Sequence, residues 1–187
     1  MTMQRIALSL FTSLILVCSG VNAQVPSDLL IVPGRSLAKI SLGMSQNQIS
    51  NLLGKPNRGS ADCWEYLSTP QSLKIYFQDG TLSEIEFTSP KFKTQEGIGL
   101  SNCSEEQWHR LFINSKSLSP FTTIRYQLKS GGLTFFDVNA DSQNSSQPHE
   151  QIGVIYATSE PRHLPESIGM NANWQPVDAT SEAASKQ

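Results

Sequence analysis

The chain has 187 residues, with 14 Lys plus Arg against 16 Asp plus Glu and a formal net charge of -2 at pH 7. Hydrophobic residues make up 38% and charged residues 16%. That balance excludes a disordered polyelectrolyte and leaves no electrostatic reason to bind nucleic acid.

Met1 to Ala23 reads as a secretory signal peptide. Arg5 gives a positive start, Ile6 to Val17 is uncharged and apolar, and Val21-Asn22-Ala23 suits cleavage before Gln24. The apolar run is short for a bilayer, which needs about 20 residues. No stable membrane span is therefore expected after cleavage. A rival reading makes Cys18 a lipid-attachment residue, although Val17 fits poorly before it. Either way the setting is periplasmic or secreted. In such a setting Cys63 and Cys103 are most simply a disulfide, the alternative being two separate buried thiols.

Residues 24–34 carry two prolines and form a lead-in segment. A first unit is expected over 35–94. Ser45 followed by Gln48 is a capping box, with Met44 placed as a staple to Ile49. Ile49, Leu52 and Leu53 make an apolar stripe at helical spacing. Gly54 and Pro56 end the helix. Strand-like text follows at 64–67, 73–77 and 82–87. Around Asp79-Gly80, a two-residue loop would set Ile75 opposite Glu84. A three-residue loop pairs Ile75 with Ser83, Leu73 with Ile85 and Lys74 with Glu84. The latter sorts the faces better and is preferred, as a type I turn with a glycine bulge.

A second unit is expected over 95–158. Ser104, Gln107, Trp108, Leu111 and Phe112 stand, at one constant offset, where Ser45, Gln48, Ile49, Leu52 and Leu53 stand in the first. Strand-like text recurs at 122–128, 133–137 and 152–156, with Gly131-Gly132 as a turn. Residues 159–187 hold three prolines and a polar end, and read as a mobile tail. The expected fold class is α+β: two tandem helix-plus-antiparallel-meander units, with the helices on one face of the sheet.

Leu42-Gly43-Met44-Ser45, with Gln48-Ile49 and Leu53-Gly54-Lys55-Pro56 behind it, resembles the opening motif of the SmpA/OmlA (BamE)-like domain. Two such units in tandem resemble the β-lactamase inhibitory protein architecture. Residues 35–90 carry the resemblance; 95–158 match only in pattern. It implies an extracytoplasmic setting and binding to a protein, not an activity.

Chemical motifs are sparse. Cys63 and His109 could form a nucleophile and base, but lack any local signature, and a disulfide would consume the thiol. Asp137, Asn139 and Asp141 begin like a calcium loop, yet Ser142 and Pro148 fall where Gly and Glu are needed. His109, His149 and His163 share no zinc spacing. Glu84 and Glu86, near Lys74, read as a charged outer face. Neither cofactor nor metal is expected.

Aromatic residues remain. Trp64, Tyr66, Tyr76, Tyr126, Phe136 and Tyr156 all fall in expected strands. Those facing away from the helices would be binding anchors; those facing inward would be core. The expected function is an exported, non-enzymatic module that binds an envelope or secreted protein through an aromatic sheet face. The competing class is an envelope hydrolase with a dispersed site.

Overall fold

A computed structural model describes residues 25–68, 71–100, 105–117, 123–138, 150–165 and 175–176. The expected signal segment 1–23, Cys103, Ser104 and residues 139–149, His149 among them, lie outside the described residues. Three short strands, β1 (Ile31–Val32), β2 (Ser36–Leu37) and β3 (Ile40–Ser41), form a small antiparallel sheet. They lead into helix α1 (Gln46–Leu53). Then follow β4 (Arg58–Gly59), β5 (Cys63–Ser68), β6 (Gln71–Gln78) and β7 (Thr81–Phe87). Helix α2 (Glu105–Leu111) runs directly into β8 (Phe112–Ser117). β9 (Thr123–Leu128), β10 (Leu133–Val138), β11 (Glu150–Tyr156) and β12 (Gln175–Pro176) complete the order.

The expected α+β class of two tandem helix-plus-meander units is overturned. Strands dominate, the two helices are short, and β4 to β12 join in one nine-stranded antiparallel sheet ordered β12-β8-β9-β10-β11-β7-β6-β5-β4. The seam is β7 against β11, with Phe87 opposite Gly153 and Ile85 opposite Ile155. A meander alone leaves its edge N–H and C=O groups unpaired, and joining two apolar edges satisfies both. The helices bury too little to organise separate units. α1 has eight residues and buries only Ile49; Leu52 and Leu53, expected on its buried stripe, are 43% and 37% exposed. The expected second stripe also fails at Phe112, which opens β8 opposite Leu128.

Local chemistry explains where α1 begins and ends. Ser45 accepts from the Gln48 N–H, and the Gln48 side chain accepts from the Ser45 N–H at 2.8 Å. The Gly54 N–H closes the last turn on the Ser50 carbonyl at 2.8 Å. The Leu82 N–H and carbonyl bond Met44 and Gly43, so the start of β7 holds the start of the helix.

The β6–β7 register differs from the preferred one. Gln78 pairs with Thr81 and Phe77 with Leu82, so the loop is the two-residue Asp79-Gly80. Both loop residues have positive φ, 52° and 75°, the mirror-image turn that matches strand twist. The irregularity lies inside the ladder instead. Ser83 is the extra residue, and beyond it Ile75 meets Ile85 and Lys74 meets Glu86. The Ser83 hydroxyl donates to the Tyr76 carbonyl at 3.0 Å, which gives the bulge its own bond.

The sheet has an inner face covered by α1, α2 and β1–β3. Ile75, Ile85, Ile155 and Leu133 form one aliphatic row across it, all fully buried. Phe87 and Phe135 flank Gly153 in the neighbouring row. The Phe87 ring lies so close that a Cβ at Gly153 would sit 2.3 Å from it. The outer face carries a second buried cluster of Phe136, Val138, Ile152, Val154 and Tyr156.

Candidate functional site

The period of two divides the six strand aromatics between the faces. Trp64, Tyr66 and Tyr126 lie on the inner face, half-buried against the main core. Trp64 stands edge-on to Phe77 at 4.8 Å, and its indole N–H donates to the Ser60 carbonyl. Tyr126 packs on Trp108 at 4.2 Å. The Tyr66 hydroxyl donates to the Gly54 carbonyl at 3.0 Å, tying β5 to the end of α1. Burial pushes the Tyr66 phenol above its ordinary value.

Tyr76, Phe136 and Tyr156 belong to the outer face, but only Tyr76 keeps appreciable exposure. Phe136 and Tyr156 are fully buried. The Tyr156 and Thr134 hydroxyls lie 2.8 Å apart. Burial raises the Tyr156 phenol above its ordinary value, with the Thr134 bond pulling the other way.

The outer face is covered in part by residues 157–165, where a mobile tail was expected to begin. Leu164 packs on the second buried cluster. The Gln127 amide donates to the Ser159 carbonyl at 2.9 Å. The Arg162 guanidinium donates to the Gln78 side chain. The central contact is Glu84, 1% exposed at its side chain. One carboxylate oxygen accepts the Arg162 N–H at 2.5 Å, and the other accepts the His163 N–H at 3.1 Å and lies 2.9 Å from His163 Nδ1. The His163 ring stacks on Tyr76 at 4.4 Å with the planes 6° apart. Tyr76 in turn donates to Glu86 at 3.1 Å.

Sequence reasoning assigned Glu84 to a charged outer surface, and it weighed His163 only as one of three histidines without zinc spacing, not as a partner of Glu84. Two signals could have found the contact. Pro161-Arg162-His163-Leu164-Pro165 is a stretch bracketed by prolines, and Leu164 is an apolar residue in otherwise polar text. Beside this contact lies a polar depression of about 400 Å3, with Asp62, Asp79 and Ser83 among its lining. A carboxylate-held imidazole can orient a proton acceptor, bind an anion when protonated, or serve structure alone.

A groove of about 370 Å3 opens elsewhere, between the small sheet, the end of α1 and the β5–β6 hairpin. Leu37, Ile40, Leu53, Tyr66, Leu73 and Phe92 line it, with Asp28 and Lys39 supplying charge. The lead-in segment builds one wall: the Ile31 N–H bonds the Lys93 carbonyl at 2.7 Å, and the Lys93 N–H bonds the Leu29 carbonyl at 3.0 Å. Ala38, at φ 53°, turns β2 back into β3 at the groove's edge. Of the six aromatics, Tyr66 lines this groove.

No disulfide is seen among the described residues, and the expected pairing cannot be followed to Cys103, which lies outside them. Cys63 is half-buried, opposite Tyr76. No group of three or more His, Cys, Asp and Glu suited to a metal ion occurs among the described residues. Asp137 lies in β10 opposite Gln151 and Ile124, while the rest of the expected calcium loop lies outside the described residues. No described helix is long and apolar enough to cross a membrane.

No family model matches the chain, and no curated protein matches it. Among solved structures, a cysteine-rich secretory protein from Staphylococcus aureus is similar at 11% identity and a TM-score of 0.31. The match covers 77% of this chain and 55% of that one, so this chain spans about half of that protein's length.

Proposed function

We propose that this chain is an exported, non-enzymatic module that binds a protein partner, with the groove beside Tyr66 receiving apolar side chains of that partner. The signal-like segment Met1 to Ala23 and the resemblance of residues 35–90 to SmpA/OmlA-type modules support the same reading. The groove is the observation that carries it. It is concave, mainly apolar and bordered by the exposed Leu53, the pattern of a contact surface with a few orienting polar groups. Aromatic anchors remain part of this reading, but through Tyr66 on the inner face.

Capture from envelope extract tests it with two matched variants. Leu53→Glu places a charge in the groove, whereas Ile113→Glu places one on the exposed Ile113 of β8, away from it. Both changes are at exposed positions and should leave the melting temperature nearly unchanged. Loss of the same captured protein with Leu53→Glu alone is the expected result. Equal capture by both variants sinks the groove as the contact surface.

The Glu84–His163 pair is the observation favouring the competing class, an envelope hydrolase. Hydrolysis of model esters or peptides that disappears in His163→Ala, with the fold intact, would establish that class instead.

A further inference from the structure

Residues 157–165 lie on the outer sheet face in an unusual manner. They pair with no strand, and residues 157–160 are exposed. What holds them is a set of contacts directed at side chains of the sheet. Glu84 grips two consecutive backbone N–H groups, one with each carboxylate oxygen. Tyr76 presents a flat ring to His163, and the buried cluster around Phe136 and Ile152 receives Leu164. A carboxylate that takes two successive backbone N–H groups recognises a bent segment, because successive N–H groups of an extended strand point to opposite sides; Arg162 and His163 form such a bend. The flanking ring and apolar patch add selectivity for a planar side chain followed by an aliphatic one.

We propose that this outer face is a peptide-docking site, occupied in cis by the chain's own Arg162-His163-Leu164, and that a partner protein docks by offering a bent segment of the same chemistry. The segment carries a ring or guanidinium residue next to an aliphatic one, and its backbone N–H groups go to Glu84. This site is separate from the groove beside Tyr66, so the two stand or fall independently. Exchange is built into the attachment. Elements without ladder bonds and with exposed backbone open locally at less cost than the sheet beneath them. Glu84, 1% exposed and bonded three times to the strap, is a built acceptor and not a surface charge. A competing segment restores each of those bonds, so displacement leaves no buried carboxylate unpaired. Leaving the site empty would, which is why a strap occupies it when no partner is present.

The test uses the full-length chain and a fluorescein-labelled synthetic peptide of residues 159–165. In a variant carrying His163→Ala and Leu164→Ala the cis strap loses its stacking and its apolar anchor. That variant is expected to bind the peptide at least about tenfold more tightly than the unmodified chain, whose site is already filled. Adding Glu84→Gln should abolish the binding. So should replacing His and Leu by Ala in the peptide. A folded double variant that binds no better than the unmodified chain overturns the proposal, as does binding indifferent to Glu84→Gln. Light scattering is recorded alongside: dimers of the unmodified chain that dissociate on adding peptide would assign the site to a second copy and overturn a separate partner. Should the variants fail to fold, hydrogen exchange on the unmodified chain decides. The amides of Arg162 and His163 should exchange faster than those of β7 and β11. Equal protection would mean that the strap leaves only when the whole molecule unfolds, and the docking proposal fails.

Discussion

The two faces of the large sheet are held by different physics. On the inner face, Ile75, Ile85, Ile155 and Leu133 touch edge to edge across four strands, and aromatic rings from Phe87, Phe135 and Trp108 fill the next layer. Such burial is non-directional and spreads over many contacts. The outer face is split. Over β10 and β11 it is apolar, around Phe136 and Tyr156. Over β5 to β7 it is a polar ladder, in which Lys74 lies 3.7 Å from Glu65 and opposite Glu86, while Glu84 holds the strap. Directional contacts concentrate their contribution in single atoms. The inner face should therefore decide how stable the molecule is, and the outer face which local segment stays attached.

The largest expected effect tests that division at its centre. Ile155→Ala removes a fully buried side chain from the aliphatic row and should cost about 2–5 kcal/mol of unfolding free energy, read by chemical denaturation. A loss below about 1 kcal/mol would show that the row is not the main source of stability. Next, Gly153→Ala drives a methyl group into the Phe87 ring and should cost about 1–3 kcal/mol. Shortening Phe87 to Leu in the same molecule should cancel part of that loss, since the two residues couple in one double-mutant cycle.

Tyr156 sharpens the comparison on the outer face. Its phenol and that of Tyr66 both titrate above the ordinary 10.0 because burial disfavours the anion. A raised acid favours folding below the unfolded value, and that contribution is lost as pH climbs through the folded value. Stability should thus fall as pH rises above about 10. Tyr156→Phe should cost about 1 kcal/mol at neutral pH, by leaving the buried Thr134 hydroxyl without this partner, and the deficit should shrink at alkaline pH. Parallel curves for the two proteins would contradict the assignment. The smallest effect belongs to neither face. Ser45→Ala removes a helix-end acceptor from the Gln48 N–H and should cost about 0.5–1 kcal/mol, seen as a small drop in melting temperature.

Legibility followed the distance over which each contact acts. The capping box at Ser45 involves groups three residues apart, and it is present as expected. The six expected strands stand within a residue or two of their places, since side-chain alternation is a local property, whereas β8 and the short β1–β4 were not expected. The Asp79-Gly80 turn was found but its register was not. The alternation criterion is satisfied by a bulge in the turn or by one at Ser83; the bulge stands at Ser83, next to the tie between Leu82 and Met44. The break between α2 and β8 was missed because Leu111 and Phe112 are apolar in either conformation. Of the candidate aromatics, each was correctly placed in a strand, but the face and cover of each were not readable.

By itself, the amino-acid sequence determined the local pieces: a capped helix, tight turns, strands with one apolar side, and a signal-like start. Each is signalled by groups within a few residues, although packing against the rest of the chain stabilises them. Tertiary structure alone decided that β7 and β11 meet, turning two expected units into one sheet. It also decided that Phe136 and Tyr156 lie covered and that Glu84 is a buried anchor instead of a surface charge. Backbone ladders are chemically alike along every strand edge. Their choice of partner, and what then covers each face, is settled by complementary packing between residues far apart in the chain.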